Sequence, residues 1–115
     1  MDFRIFKVKQ HVLKSLDDLE TPSRFSLKEL SRIANLSYAY FSTLFKKQAG
    51  ISLIKFIKQK KMEKAELFLK NSDAQVKEIS YLLGYRSIWN FFHDFRKTTG
   101  MTPTRCRQKN QQSNQ

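Results

Sequence analysis

Three side chains in this sequence belong to the types that carry nucleophilic or metal chemistry, and their spacing does not support it. His11 and His93 lie on separate segments and Cys106 is alone. No Gly-rich loop cradles a phosphate, and no His/Cys spacing suits a metal. No enzyme, metal or cofactor is expected. A lone cysteine permits no internal disulfide, so the reducing cytoplasm is the default compartment. The residues do support recognition of a polyanion. Twenty-two Lys and Arg face ten Asp and Glu, a net charge of +12. An excess this large points to nucleic acid or an anionic membrane surface. Two clusters gather the side chains that read a duplex. In the first, Ala39 and the Thr43 methyl suit thymine methyls, Ser42 and Thr43 can hydrogen-bond base edges or phosphate, and Lys46 can hold a phosphate. In the second, Trp89 and Phe92 are large apolar groups, Asn90 can pair with adenine, His93 can bond a base or phosphate, and Arg96 is the phosphate anchor. Three uses of Trp89 stay open: thymine-methyl contact, docking to a protein, or packing under the C-terminal tail.

Helices must position these groups. The chain is 40% hydrophobic, with ten Phe and four Tyr, and has only three Gly and two Pro. That is sparse punctuation for an all-β fold and natural for an all-α one. Ile5, Val8, Val12, Leu16 and Leu19 recur at steps of three and four, the stripe of a first helix. Thr21-Pro22-Ser23 ends it. Ser26 and Glu29 read as a capping box before a short helix with Leu27, Leu30 and Ile33 inward. Ala34 closes that helix, and Asn35 supplies a left-handed turn. Ser37 caps the next helix, whose inward set is Tyr40, Phe41, Leu44 and Phe45, and Gly50 follows its end. At about 100° per residue, Ala39, Ser42, Thr43 and Lys46 then face outward. A longer basic helix spans about Ser52 to Leu69, with Ile54, Ile57, Met62, Ala65, Phe68 and Leu69 buried. Farther on, Ile88, Phe91 and Phe95 point in and Trp89, Phe92, His93 and Arg96 point out, with Asn90 at the margin. Phase places Asp94 toward the core edge, and pairing with a nearby cation stays open. Lys109 to Gln115, rich in Gln and Asn, reads as a disordered tail.

An internal repeat organises the whole chain. Leu27-Lys28-Glu29-Leu30-Ser31 matches Val76-Lys77-Glu78-Ile79-Ser80. Phe41, Phe45, Lys46, Gly50 and Ser52 match Phe91, Phe95, Arg96, Gly100 and Thr102 one residue further out of register, so one residue is inserted near the second turn. Short helix, tight turn (Asn35, then Gly84) and longer helix is the pattern of a helix-turn-helix. The expected division is residues 1–51 as a first lobe, 52–70 as a linker helix, 71–108 as a second lobe and 109–115 as the tail. Two readers on one face of a duplex sit about 34 Å apart. A joining helix of about 17 residues is roughly 26 Å long, so one chain spans the gap with its flanking lobes. Both readers in one polypeptide need no palindrome, and a monomer suffices for binding.

Ile79-Ser80-Tyr81-Leu82-Leu83-Gly84-Tyr85, then Phe91, Phe95-Arg96-Lys97, Gly100-Met101-Thr102-Pro103 and Arg107, resembles the second-repeat signature of the AraC/XylS family of bacterial transcription regulators. Lys61-Met62-Glu63-Lys64-Ala65 with Phe68-Leu69 resembles its linker helix, and Phe45-Lys46-Lys47 with Gly50 its first repeat. The resemblance covers about Phe3 to Arg107. It implies seven helices in two helix-turn-helix lobes joined by a central helix. It also implies base contacts from Ala39, Ser42 and Thr43, and from Trp89, Asn90, Phe92 and His93. Asn90 stands where the family commonly has Tyr, Trp89 where a small polar residue is frequent, and Cys106 where an aromatic is usual. Many members add a ligand-sensing domain, so the sequence is read either as a stand-alone regulator, which Met1 directly before the first helix favours, or as an excised output domain. The function implied is sequence-specific binding of double-stranded DNA by a transcription regulator, in the cytoplasm and on the nucleoid, with RNA polymerase as a further candidate partner. The alternatives are a cationic amphipathic membrane-surface binder and a non-specific or RNA-binding protein. The first leaves the repeat unexplained, and the second lacks a Gly/Arg-rich segment or an RNA-recognition motif.

Overall fold

The structure, a computed structural model, describes the backbone of residues 1–113 and the side chains of residues 1–111. It holds seven helices and no strand among the described residues: α1 Phe3–Asp17, α2 Leu27–Ile33, α3 Tyr38–Ala49, α4 Leu53–Asn71, α5 Val76–Leu82, α6 Ile88–Thr99 and α7 Pro103–Ser113. None of these is long and apolar enough to cross a membrane.

Local chemistry sets the boundaries. Asp2 caps α1 by accepting from the Arg4 backbone N–H at 2.8 Å, and the Arg4 guanidinium closes on the same carboxylate at 2.8 Å. That side-chain bond holds the Asp2 carboxyl well below the usual range, at about 2. Ile5, Val8, Val12 and Leu16 form the buried stripe of α1. Leu19 does not join them: the helix ends at Asp17, and Leu19 is 56% exposed beyond it. The Ser26 half of the expected capping box is present, its hydroxyl accepting from Glu29 N–H at 3.4 Å. At the matching site before α5, the Glu78 carboxylate accepts from Gln75 N–H.

The two turns superimpose in their bonding. Leu36 N–H reaches Ser31 O at 3.0 Å across Asn35 (φ +57°), and Tyr85 N–H reaches Ser80 O at 3.1 Å across Gly84 (φ +85°). The register then changes by one, and Ser37 and Ser87 cap α3 and α6. The inserted residue therefore lies just after the second turn.

Phe41 and Phe45 of α3 and Phe91 and Phe95 of α6 are fully buried. Rings meet edge-on at Phe45–Phe56 (5.5 Å) and tilted at Tyr85–Phe91 (5.5 Å). Helix α4 runs through the centre, packing on α1, α3, α5, α6 and α7. Two residues assigned inward by type point outward: Tyr40 is 53% and Ile54 is 55% exposed. Tyr40 lies about 120° around α3 from the middle of its buried face, so helical phase overrides apolarity there, whereas Ile54 sits in the first turn of α4 on the open groove beside α3.

The C-terminal segment also departs from expectation. Helix α7 runs through Lys109 to Ser113, where a disordered tail is expected from composition; residues 114–115 lie outside the described residues. Two polar side chains of α7 bond the end of α4. Asn110 donates to Lys70 O at 3.2 Å, and the Arg107 guanidinium donates to the carbonyls of Leu69, Phe68 and Ser72. Those carbonyls belong to the end of α4, where four C=O groups lack intrahelical partners and the helix dipole favours a cation.

Candidate nucleic-acid interface

The second helix of each helix-turn-helix and the start of the helix that follows it enclose an open groove. The first groove is lined by Ser42, Thr43, Lys46 and Lys47 of α3, with Tyr38, Leu27, and Ser52, Leu53 and Ile54 at the start of α4. The second is lined by Trp89, Phe92, His93 and Arg96 of α6, with Thr102 and Thr104 at the start of α7. The repeat register relates them directly. Ser42, Thr43, Lys46, Ser52 and Ile54 occupy the places of Phe92, His93, Arg96, Thr102 and Thr104. Gly50 and Gly100 end α3 and α6 in the same left-handed conformation, and Ser52 and Thr102 accept from the N–H groups of Lys55 and Arg105. Each groove is thus the same construction with different furniture.

Ala39, Thr43 and Lys46 are exposed, and Ser42 is half-buried against the first groove. Ala39 is on the outer face of α3 but does not line the groove. Thr43 donates its hydroxyl hydrogen to Ala39 O at 3.2 Å, which leaves an acceptor lone pair and the methyl for a partner. In the second unit Trp89 is 74% exposed, so no described part of the C-terminal segment packs over it. Its ring stands edge-on to Phe92 at 5.8 Å; Phe92 is half-buried and leans on core Phe91 at 6.4 Å. The indole is therefore held out from the surface on an anchored neighbour. His93 and Arg96 are exposed beside it, and Asn90 is exposed but outside the groove. Tyr38, Lys47, Ser52, Ile54, Thr102 and Thr104 are groove residues that helical phase alone misses. Only the repeat register, which pairs Ser52 with Thr102, signals the start of the following helix as part of each surface.

The charge distribution leaves these faces free of acidic groups. Helices α3 and α7 contain no Asp or Glu, and α6 contains only Asp94. The Asp94 side chain is turned inward, 16% exposed, with Oδ2 accepting from the Tyr85 hydroxyl at 2.7 Å and Oδ1 at 3.8 Å from Lys58 Nζ. Burial, and then this bond, push the Tyr85 phenol upward, so it stays protonated and donating. Lys64 takes Asp17 at 2.6 Å, and Glu63 and Glu66 pair along α4 with Lys60 and Lys70. Among the described residues no three His, Cys, Asp or Glu side chains gather as a metal site. Cys106 is buried, with its thiol pushed up first by that burial.

Paired helix-turn-helix units with matching open grooves define a DNA-binding domain of transcription regulators. A profile of the helix-turn-helix domain family matches residues 30–109, and the chain belongs to the AraC/XylS-type helix-turn-helix family. It is 33% identical over 90 residues to the HTH-type transcriptional regulator YtdP of Bacillus subtilis (strain 168), covering 78% of this chain and 12% of that protein. It is 30% identical over 98 residues to the probable transcriptional regulator LumQ of Photobacterium leiognathi, covering 85% of this chain and 36% of that protein. The chain thus spans little more than a third, or less, of either relative. Among solved structures, the C-terminal domain of the response regulator yesN from Fusobacterium nucleatum is 32% identical, with a TM-score of 0.76 over 87% of this chain and 93% of that one. The DNA-binding domain of AdpA, solved in complex with a target DNA, shares the fold at 23% identity and a TM-score of 0.77, over 90% of this chain and 91% of that one.

Proposed function

We propose that this chain binds an asymmetric duplex site of about 20 base pairs, as a monomer, with α3 and α6 in two successive major-groove segments one turn apart. The single observation that carries this is the pair of matched grooves. Both keep a cation at one position (Lys46, Arg96) and differ around it: Ser42 and Thr43 line one and Phe92 and His93 the other, and Trp89 of the second groove stands where the first unit has only Ala39, outside its groove. One docking pose with two different reading surfaces calls for two different half-sites. The 49 Å long axis accommodates readers about 34 Å apart, and α4, 19 residues long, supplies about 28 Å of that span. AdpA's complex with target DNA, on the same fold, supports the duplex as partner.

Lys46 and Arg96 are the phosphate anchors. Ala39, Ser42, Thr43, Trp89, Asn90, Phe92 and His93 are the base-reading set. No catalytic step is assigned to any of them. The setting proposed is the bacterial cytoplasm, on nucleoid DNA, with RNA polymerase as the downstream contact.

Selection of random duplexes by the purified chain, read by sequencing, tests this. A bipartite, non-palindromic motif is expected, and a flat or palindromic result refutes the proposal. On the selected site, Lys46→Ala and Arg96→Ala weaken every sequence alike and each reduces the salt slope by about one. Thr43→Ala and Trp89→Ala alter preference at single positions, at a cost of about 1–3 kcal/mol.

A further inference from the structure

The two helix-turn-helix units are joined by more than α4. The segment between α1 and α2, residues 18–26, lies as a strap against the turn of the second unit. Ser23 is buried there. Its N–H donates to Leu82 O at 2.8 Å and its hydroxyl donates to Ser15 O at 2.7 Å, so one residue ties the end of α1 to the end of α5. The approach leaves no room for a side chain at position 84, where a Cβ would stand 2.0 Å from Ser23 O. Beside this contact, Lys61 Nζ of α4 lies over the rings of both Phe25 (5.8 Å), on the strap, and Tyr85 (5.0 Å), after the turn. Tyr85 then bonds Asp94 of α6, and Asp94 faces Lys58 of α4. A continuous path thus runs from the strap through Lys61 and Tyr85 to the second reading helix and back to the central one.

A carboxylate on a reading helix repels phosphate, so Asp94 needs a compensating role. We propose that Asp94 is a positioning residue: held by Tyr85 and Lys58, it sets α6 against α4 and so selects the spacing between half-sites at which both grooves engage. This rests on the two-groove reading above. Two joined readers gain from each other only when their separation matches that of the half-sites. One base pair more or less moves a half-site by about 3.4 Å and turns it by about 34°. A braced pair cannot follow that change, whereas a pair with α6 released can.

The test uses the selected site at its native spacing, with one or two base pairs inserted or removed between half-sites, and with either half-site scrambled. Wild type is compared with Asp94→Ala, Asp94→Asn and Tyr85→Phe, each checked for helicity and a cooperative melt. The readout is the ratio of affinities at native and altered spacing, in which any general gain from losing a negative charge cancels. Wild type is expected to lose about a hundredfold on a one-base-pair change, within the range such coupling provides. Asp94→Ala is expected to lose tenfold or less, with Asp94→Asn, which retains an acceptor for Tyr85, in between. Tyr85→Phe follows Asp94→Ala and serves alone if the alanine variant does not fold. Variants with the wild-type ratio overturn the role of Asp94 and leave the two-groove reading standing. A wild type indifferent to spacing overturns both.

Discussion

Gly84→Ala measures the strap. Its effect can be separated from ordinary backbone strain because Gly50 offers a control at nearly the same dihedral, φ +81° against +85°. An alanine in the left-handed region costs about 1–2 kcal/mol, less about 0.4–1 kcal/mol regained through a stiffer unfolded chain. Gly50→Ala meets nothing within 4 Å and carries that balance alone, between about 0 and about 1.6 kcal/mol. At position 84 the new Cβ meets Ser23 O at 2.0 Å and Ser23 C at 2.9 Å. Both are backbone atoms, so the strap must move by more than 1 Å to reach ordinary contact. That displacement breaks the Ser23–Leu82 hydrogen bond and strands buried backbone groups, worth a further ~1–3 kcal/mol. Urea and thermal melts of the two variants are expected to differ by about 2 kcal/mol, or roughly 8 °C or more, at this chain length. Gly84→Ala should also lose part of the spacing selectivity, since the strap and Asp94 brace the same joint. Equal destabilisation of the two variants, to within about 0.5 kcal/mol, would refute the strap as a structural tie.

Two further outcomes follow from groups away from the grooves. Arg107→Met removes the donor shared by three carbonyls at the end of α4 and is expected to lower stability by about 1–3 kcal/mol in urea melts; Arg107→Lys should recover little, because an ammonium cannot present the guanidinium fork. Burial pushes the Lys61 ammonium below its ordinary range, so its charge opposes folding at neutral pH and ceases to do so as pH rises through that lowered value toward 10.5; Lys61→Met should therefore gain on wild type near pH 7 and lose that advantage by pH 11, and an advantage that grows with pH would contradict the assignment.

Much of this architecture was legible because it is periodic. The first six helices, the two turn residues Asn35 and Gly84, and the buried Phe pairs follow from local pattern and from one repeat reinforcing the other, whereas the seventh helix is implied only by the family resemblance. Asp94's inward placement was legible from phase, but its hydrogen-bond partner Tyr85 sits on the loop before α6 and leaves no periodic trace. Tyr40 departs because its angular position on α3 outweighs its type, and Ile54 because the first turn of α4 borders the open groove and not the core. The end of α7 misled because Gln and Asn read as disorder, when the neighbouring terminus of α4 presents carbonyls for such donors. The strap had no local signal either. Its contact with Leu82 crosses nearly 60 residues, and only the folded chain brings Ser23 to Gly84.

The repeat also separates what folding requires from what a partner would see. Buried Phe41/Phe91 and Phe45/Phe95, capping Ser37/Ser87 and terminal Gly50/Gly100 are identical between copies, and the cation at Lys46/Arg96 is kept in kind. The outer faces diverge at Ala39/Trp89, Tyr40/Asn90, Ser42/Phe92 and Thr43/His93, and Leu44/Asp94 differs at the margin of the core. If both units dock alike, the anchors give each half-site a similar salt-dependent share of affinity, because counterion release follows phosphate contacts and not base identity. The difference between half-sites then lies in base contacts, small and hydroxyl-bearing in the first unit and aromatic in the second. A domain built this way reads its site in one direction only. Orientation on the DNA is then set by the chemistry of two grooves, and the brace at Asp94 and Ser23 sets how far apart they read.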